Sequence, residues 1–89
     1  MYYITKIKMK PGCYTSYNLT EIDQVFIPEF GYIQKATAYD YLKSNPNTIS
    51  VGLSPYPYVV PALSKNYEKY VRSASNDSTN DNLLKLPRE

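Results

Sequence analysis

Histidine is missing from this 89-residue sequence, and with it the side chain of first choice for proton transfer near neutral pH. Serine and cysteine hydrolase triads that rely on a His base are therefore excluded. A single cysteine, Cys13, rules out an intrachain disulfide and a Cys-based structural zinc site. As a lone reduced thiol it fits the cytoplasm, where the protein is expected. Neither a dinucleotide-binding GxGxxG nor a P-loop pattern occurs among the three glycines. No apolar run reaches the roughly 18 residues of a membrane span. The start, Met1 to Lys6, lacks the charged and then apolar character of a signal peptide. Large excess charge is absent too: ten Lys and Arg against eight Asp and Glu leave +2. That balance permits contact with anions without demanding it. A dedicated nucleic-acid binder is more basic, with a pI above about 9, so nucleic acid ranks last among the expected partner classes.

What is present is 11 Tyr, 2 Phe and 7 Pro in a chain that is 43% hydrophobic. The length fits one domain, residues 1–89, with a modest core; it buries roughly 60–65% of its unfolded surface. Tyr3, Thr5, Ile7 and Met9 alternate with Ile4, Lys6, Lys8 and Lys10, which predicts a half-buried strand over the first ten residues. Pro11-Gly12 ends it, and a tyrosine-bearing loop follows to Asn18. Leu19 to Ile27 reads as a second strand whose imperfect alternation calls for a bulge. Pro28 to Gly31 is a turn before a short strand at Tyr32–Gln34. Thr37 is the expected helix cap, with Ala38, Tyr41 and Leu42 on the buried face, and Asn45-Pro46 the stop. Further strands are expected at Ile49–Leu53, at Tyr58–Val60 (on an edge, because of Pro61) and from Tyr67 to about Ala74. A polar loop over 75–82 and a docked segment over 83–87 complete the chain. The fold class is α+β: a curved antiparallel sheet of four to five strands with one short helix.

The run Tyr3-Ile4-Thr5-Lys6-Ile7 followed by Pro11-Gly12 resembles the opening of a family of small bacterial and phage proteins. So does Lys69-Tyr70-Val71-Arg72-Ser73, followed by an Asn/Asp-rich stretch and then Asn82-Leu83-Leu84-Lys85-Leu86-Pro87. The family is a domain of unknown function, number 3892. The resemblance spans nearly the whole chain, and the closing Asn-Leu-Leu-x-Leu-Pro is its most specific part. Pro55-Tyr56-Pro57 and the abundance of Tyr depart from the pattern. The resemblance implies a small mixed α/β fold and carries no catalytic residues with it.

Most of the tyrosines are explained by packing in a strand-rich domain. Tyr14, Tyr17, Tyr56 and Tyr58 sit in or beside loops, where exposed Tyr offers rigid, amphipathic contact area. Lys6, Lys8 and Lys10 share a strand face; their bland role is to solvate it, their sharper one an anion-binding stripe joined by Lys69 and Arg72. Arg72 shares a face with Tyr70, and an Arg beside a Tyr can hold a phosphate and stack a base. Glu21 and Asp23, two apart, read as a wet strand face rather than as a metal or acid–base pair. Cys13, with no His partner, is not a nucleophile. The candidate ligand-binding residues are therefore Tyr14, Tyr17, Tyr56, Tyr58, Lys69, Tyr70 and Arg72, with no catalytic residue, metal or cofactor expected. The function expected is non-enzymatic binding of a small anionic, nucleotide-like ligand, which in a phage would sequester a host defence signal. The alternative is a protein–protein interaction module or inhibitor of a host protein, using the Pro55–Tyr58 patch. An exposed sheet edge also favours a homodimer.

Overall fold

The strand expected over the first ten residues is two strands, β1 (Tyr2–Ile4) and β2 (Lys6–Met9), meeting at Thr5. The computed structural model describes residues 1–74 and 81–88. At the junction, Thr5 donates to the Phe26 carbonyl at 3.0 Å, while Lys6 is the register partner of that same Phe26. Two residues against one make a bulge, and a bulge re-phases the side chains. Ile4 and Ile7 therefore both face the core, although they are three apart. Tyr3, Lys6 and Lys8 lie on the opposite side.

β3 (Ile22–Ile27) pairs antiparallel with β2, and β4 (Gly31–Gln34) with β3. The expected bulge is real. The register passes from Lys8↔Gln24 to Met9↔Ile22 and skips Asp23, so Ile22 and Val25 both point inward. Leu19–Glu21, expected as strand, forms a short 3-10 turn instead. The Asn18 side chain accepts from the Thr20 amide there and closes the turn before the ladder can begin.

α1 (Lys35–Ser44) starts two residues before Thr37, after Gln34, which makes no side-chain cap. The first turn is tied by tertiary contact rather than by the expected Thr37 cap: the Lys35 ammonium donates to the Thr20 carbonyl and to Glu68. Lys35, Ala38, Tyr39 and Leu42 form the buried face at the i, i+3, i+4, i+7 spacing of a helix. Tyr39 thus takes the place expected of Tyr41, which is 38% exposed. The helix stops at Asn45, just before Pro46, as the sequence predicts.

β4 runs in the direction of β2. α1 carries the chain back, and β5 (Ile49–Val51) sets out again parallel to β1. At its end the Gly52 amide donates to the Ile4 carbonyl at 2.8 Å. A Cβ on Gly52 would stand 3.0 Å from that oxygen and 3.2 Å from the Thr5 methyl. Gly52→Ala should therefore push β1 and β5 apart at a cost of about 1–3 kcal/mol. A thermal melt should show a midpoint lower by roughly 5–20 °C, and an unchanged melt would refute the close approach.

β6 (Val59–Leu63) and β7 (Lys69–Ser73) form an antiparallel pair, with Pro61 opposite Val71. A single bridge, Ser50↔Tyr58, joins this pair to β5. The protein is a small α+β domain, as expected. Among the described residues, however, seven strands fall into three short ladders, β1–β5, β2–β3–β4 and β6–β7, rather than one antiparallel sheet of four or five. The Thr5 bulge separates the first two of these, because it divides the first strand between two partners.

The docked segment is present. Leu83, Leu84 and Leu86 are buried among Ile7, Val25, Val59 and Val71 in one core. Asp81 caps their 3-10 turn (Asn82–Lys85), accepting from the Leu83 amide at 2.9 Å and from the Ser73 amide at 3.1 Å. Of the polar loop expected over 75–82, residues 75–80 lie outside the described residues.

Candidate functional site

Because β2, β3 and β4 are neighbours, side chains on the side away from the core line up in rows across the strands. Lys6, Phe26 and Tyr32 form one row; Lys8, Gln24 and Gln34 form the next. Each row exists because the turn at 28–30, closed by Gly31 at a φ of 80°, sets Phe26 opposite Tyr32. The first row interlocks. The two rings meet edge to face with centroids 5.0 Å apart, and the Lys6 ammonium lies 4.3 Å from the Phe26 centroid and 6.0 Å from that of Tyr32. The Lys8 ammonium comes within 5.7 Å of the Tyr32 ring. Such contacts hold the rings and cations in a fixed relation. Lys8, Tyr32 and Gln34 are exposed, and Lys6, Phe26 and Gln24 half-buried. A patch roughly 10 Å across and 7 Å along the strands thus brings together two rings, two ammoniums and two amides.

The patch continues past Thr5. Tyr3 lies on the same side, and Tyr56 meets its ring edge-on at 6.1 Å. Tyr56 has a φ of 59°. Tyr3, Thr5, Pro28, Glu29, Gly52 and Tyr56 line a wide, shallow groove of about 560 Å³. This surface can stack a planar ring and neutralise an anion beside it.

The residues expected to bind ligand are not gathered in one place. Tyr56 joins the patch. Tyr58 bridges to Ser50 at the edge of β5. Tyr17 lies under the Arg88 guanidinium at 5.3 Å, and the Tyr14 carbonyl accepts from Arg88 at 2.8 Å, so the 11–18 loop is clamped to the docked segment. Lys69 pairs with Asp40 at 2.8 Å and lies over Tyr39, where the carboxylate raises its pKa. Tyr70 and Arg72 stand opposite Ala62 and Val60 on β7. The lysine stripe divides accordingly. Lys6 and Lys8 belong to the patch, while Lys10, beyond the end of β2, reaches Glu68 at 2.9 Å.

Around Lys10 lies a polar cluster that ties elements together. Glu68 accepts from Lys10 and Lys35, whose ammoniums hold its carboxyl down at about 2. Burial pulls the Lys35 pKa down by more than Glu68 raises it. Glu21, expected to share a strand face with Asp23, closes the 3-10 turn instead and accepts from Ser16 and, at 3.2 Å, from the Cys13 thiol. That bond raises the thiol pKa and keeps Cys13 protonated, which suits a structural residue rather than a nucleophile. Among the described residues, no three acidic or cysteine side chains are grouped to hold a metal ion, and no helix is long and apolar enough to cross a membrane.

A second concavity, of about 210 Å³, lies between β4, α1 and β1, lined by Tyr2, Ile27, Phe30, Ile33, Thr37, Ala38, Tyr41 and Ile49. It is apolar, with the Tyr2 and Phe30 rings 4.9 Å apart at one side.

Comparison with known proteins adds one finding. No curated protein and no solved structure gives a significant match. The family model described as protein of unknown function (DUF3892) matches residues 3–87, nearly the whole chain, and the protein belongs to that family.

Proposed function

We propose that this protein is a non-enzymatic binding module for an anionic, nucleotide-like ligand, held on the outer face of β2–β4. The observation that carries the reading is the Lys6–Phe26–Tyr32 row, with an ammonium 4.3 Å from a ring that itself packs edge-on against a second ring. A nucleobase packs beside such rings, and its phosphate finds the exposed Lys8 alongside. The groups that could do covalent chemistry support binding rather than turnover: Cys13, Ser16 and Glu21 satisfy one another. A cytoplasmic setting, with sequestration of a small signal as the role in a phage, fits this reading.

Titration of ¹⁵N-labelled protein with mono- and dinucleotides tests it. Amide shifts should concentrate on residues 6–8, 24–26 and 32–34. An unresponsive spectrum across the panel, or shifts confined to the Tyr14–Tyr17 loop, would overturn it. The apolar concavity beside Phe30, which is 56% exposed, favours the second reading, a protein-interaction module. A protein partner would shift the amides of Phe30, Thr37 and Tyr41 instead.

A further inference from the structure

We propose that the groove beside Tyr3 and Tyr56 is a binding site for a methylated, quaternary ammonium group. This goes beyond the nucleotide-like reading, since it concerns a different surface and a ligand of opposite charge.

Three observations carry it. The first is a pair of rings with no cation of the chain's own. Lysines lie over Phe26, Tyr32 and Tyr39, and the Arg88 guanidinium lies over Tyr17. Among the described residues, no such cation stands over Tyr3 or Tyr56, although the two are 43% and 56% exposed. Aromatic faces are electron-rich and attract a cation from solution.

The second is Glu29. Its exposed carboxylate borders the same groove, whose lining includes no Lys or Arg. The ion pairs of the described residues use Glu68 and Asp40 and leave Glu29 without a cation. Two rings and a carboxylate thus share one space with no positive charge among them. Such a space attracts a cation and repels a phosphate. The Tyr2–Phe30 pair offers no such site, because no charged side chain lines the concavity beside it.

The third is shape. The planes of Tyr3 and Tyr56 stand at 78°, close to a right angle. A round trimethylammonium group can touch both walls of such a corner, whereas a planar guanidinium can lie flat on only one. An unmethylated ammonium is strongly hydrated, and this shallow groove has a single carboxylate to offer in exchange for its water. Methyl groups spread the charge, shed water at lower cost and pack against the rings. The groove, of about 560 Å³, leaves room for whatever bears the head group. Both a free cation such as choline and a trimethylated lysine side chain in a peptide share this chemistry.

The test is titration of the ¹⁵N-labelled chain with choline chloride against matched sodium chloride. Amides of Tyr3, Thr5, Glu29, Gly52 and Tyr56 should shift saturably in the millimolar range, and those of residues 24–26 and 32–34 should not. The neutral isostere 3,3-dimethylbutanol, equal in shape but uncharged, should bind at least about 10-fold more weakly. Arginine amide should also bind more weakly than choline. Tyr56→Leu should weaken choline by roughly 2- to 30-fold and Glu29→Gln by roughly 2- to 5-fold. If Tyr56→Leu loses the wild-type spectrum, Tyr3→Leu replaces it with the same expected direction. A short trimethyllysine peptide that binds at least about 10-fold tighter than choline would identify a modified protein as the source; equal binding would identify the free cation. Equal binding of the isostere shows an apolar notch alone and overturns the proposal. Tighter binding of arginine amide overturns the quaternary assignment. Shifts elsewhere, or none up to about 100 mM choline, overturn the site itself; none of these results touches the nucleotide-like reading.

Discussion

Stopped after Asn80, the protein should show no cooperative unfolding transition at 25 °C. Leu83 is 0% exposed, Leu84 6% and Leu86 5%. Burying a leucine contributes about 1.5–3 kcal/mol, so these three together are worth about as much as the entire net stability of a small domain. Their loss would open the core shared with Ile7, Val25, Val59 and Val71. It would also remove the Asp81 carboxylate, leaving the buried Ser73 amide without its acceptor. The same segment supplies a backbone partner to β2, the Ile7 amide donating to the Pro87 carbonyl at 2.9 Å. Arg88 then ties the 11–18 loop through the carbonyls of Tyr14 and Ser16. A milder variant, Leu83→Ala, should stay folded but lose about 2–5 kcal/mol. Circular dichroism melts decide the matter: a cooperative transition in the shortened chain would mean that the segment merely rests on a core complete without it.

The importance of that segment is legible in the sequence, because three leucines within four positions cannot remain exposed at low cost. The helix stop at Asn45-Pro46 and the turn at 28–31 are legible for a similar reason: Pro and Gly fix backbone angles locally. What was hidden is non-local. Thr5 carries no local sign that the strand breaks there, since its alternation with Ile4 and Lys6 looks unbroken. Only the competition between β5 and β3 for the same strand forces the bulge. The start of α1 is not legible, because Thr37 offers a good local cap, whereas the structure anchors Lys35 through Glu68, 33 residues away. Tyr39 and Tyr41 differ little as residues, and which of them is buried depends on that same starting point.

The candidate site was half legible. Lys6 and Lys8 stand out as a pair at spacing two, and Tyr56 as a loop aromatic. Phe26 and Tyr32 carry a subtler signal: they are equidistant from the turn at 28–30, so a hairpin must set them opposite each other. Gln24 and Gln34 follow from the same register. Tyr14 and Tyr17, by contrast, looked available only because the sequence does not show that Arg88 reaches back to their loop. Lys69 looked like part of an anion stripe because nothing local points to Asp40 on the helix.

Glu68→Gln should lower stability at pH 7 by about 2–3 kcal/mol and flatten the acid limb of the stability curve. The Lys35 side chain is 11% exposed. Without Glu68, its ammonium keeps only the Thr20 carbonyl as a described partner, and an uncompensated buried charge is costly. The Glu68 side chain is itself 37% exposed, so water offsets part of the loss and the cost stays below the roughly 3–5 kcal/mol of a fully buried pair. The pH dependence follows from the direction of the shift. The Glu68 carboxyl is held near 2, below its ordinary value of 4.5, so the folded state binds a proton less readily than the unfolded state. Its contribution is complete above about pH 5 and declines as the pH falls toward 2. Urea titrations from pH 7 to pH 2 should show wild type and variant converging at the acid end. The Glu68→Gln, Lys35→Met double variant should recover most of the loss, since removing the stranded charge removes the penalty. Parallel acid limbs in wild type and Glu68→Gln, or a double variant no better than the single, would place the source of acid lability elsewhere and reduce the cluster to a solvated surface pair.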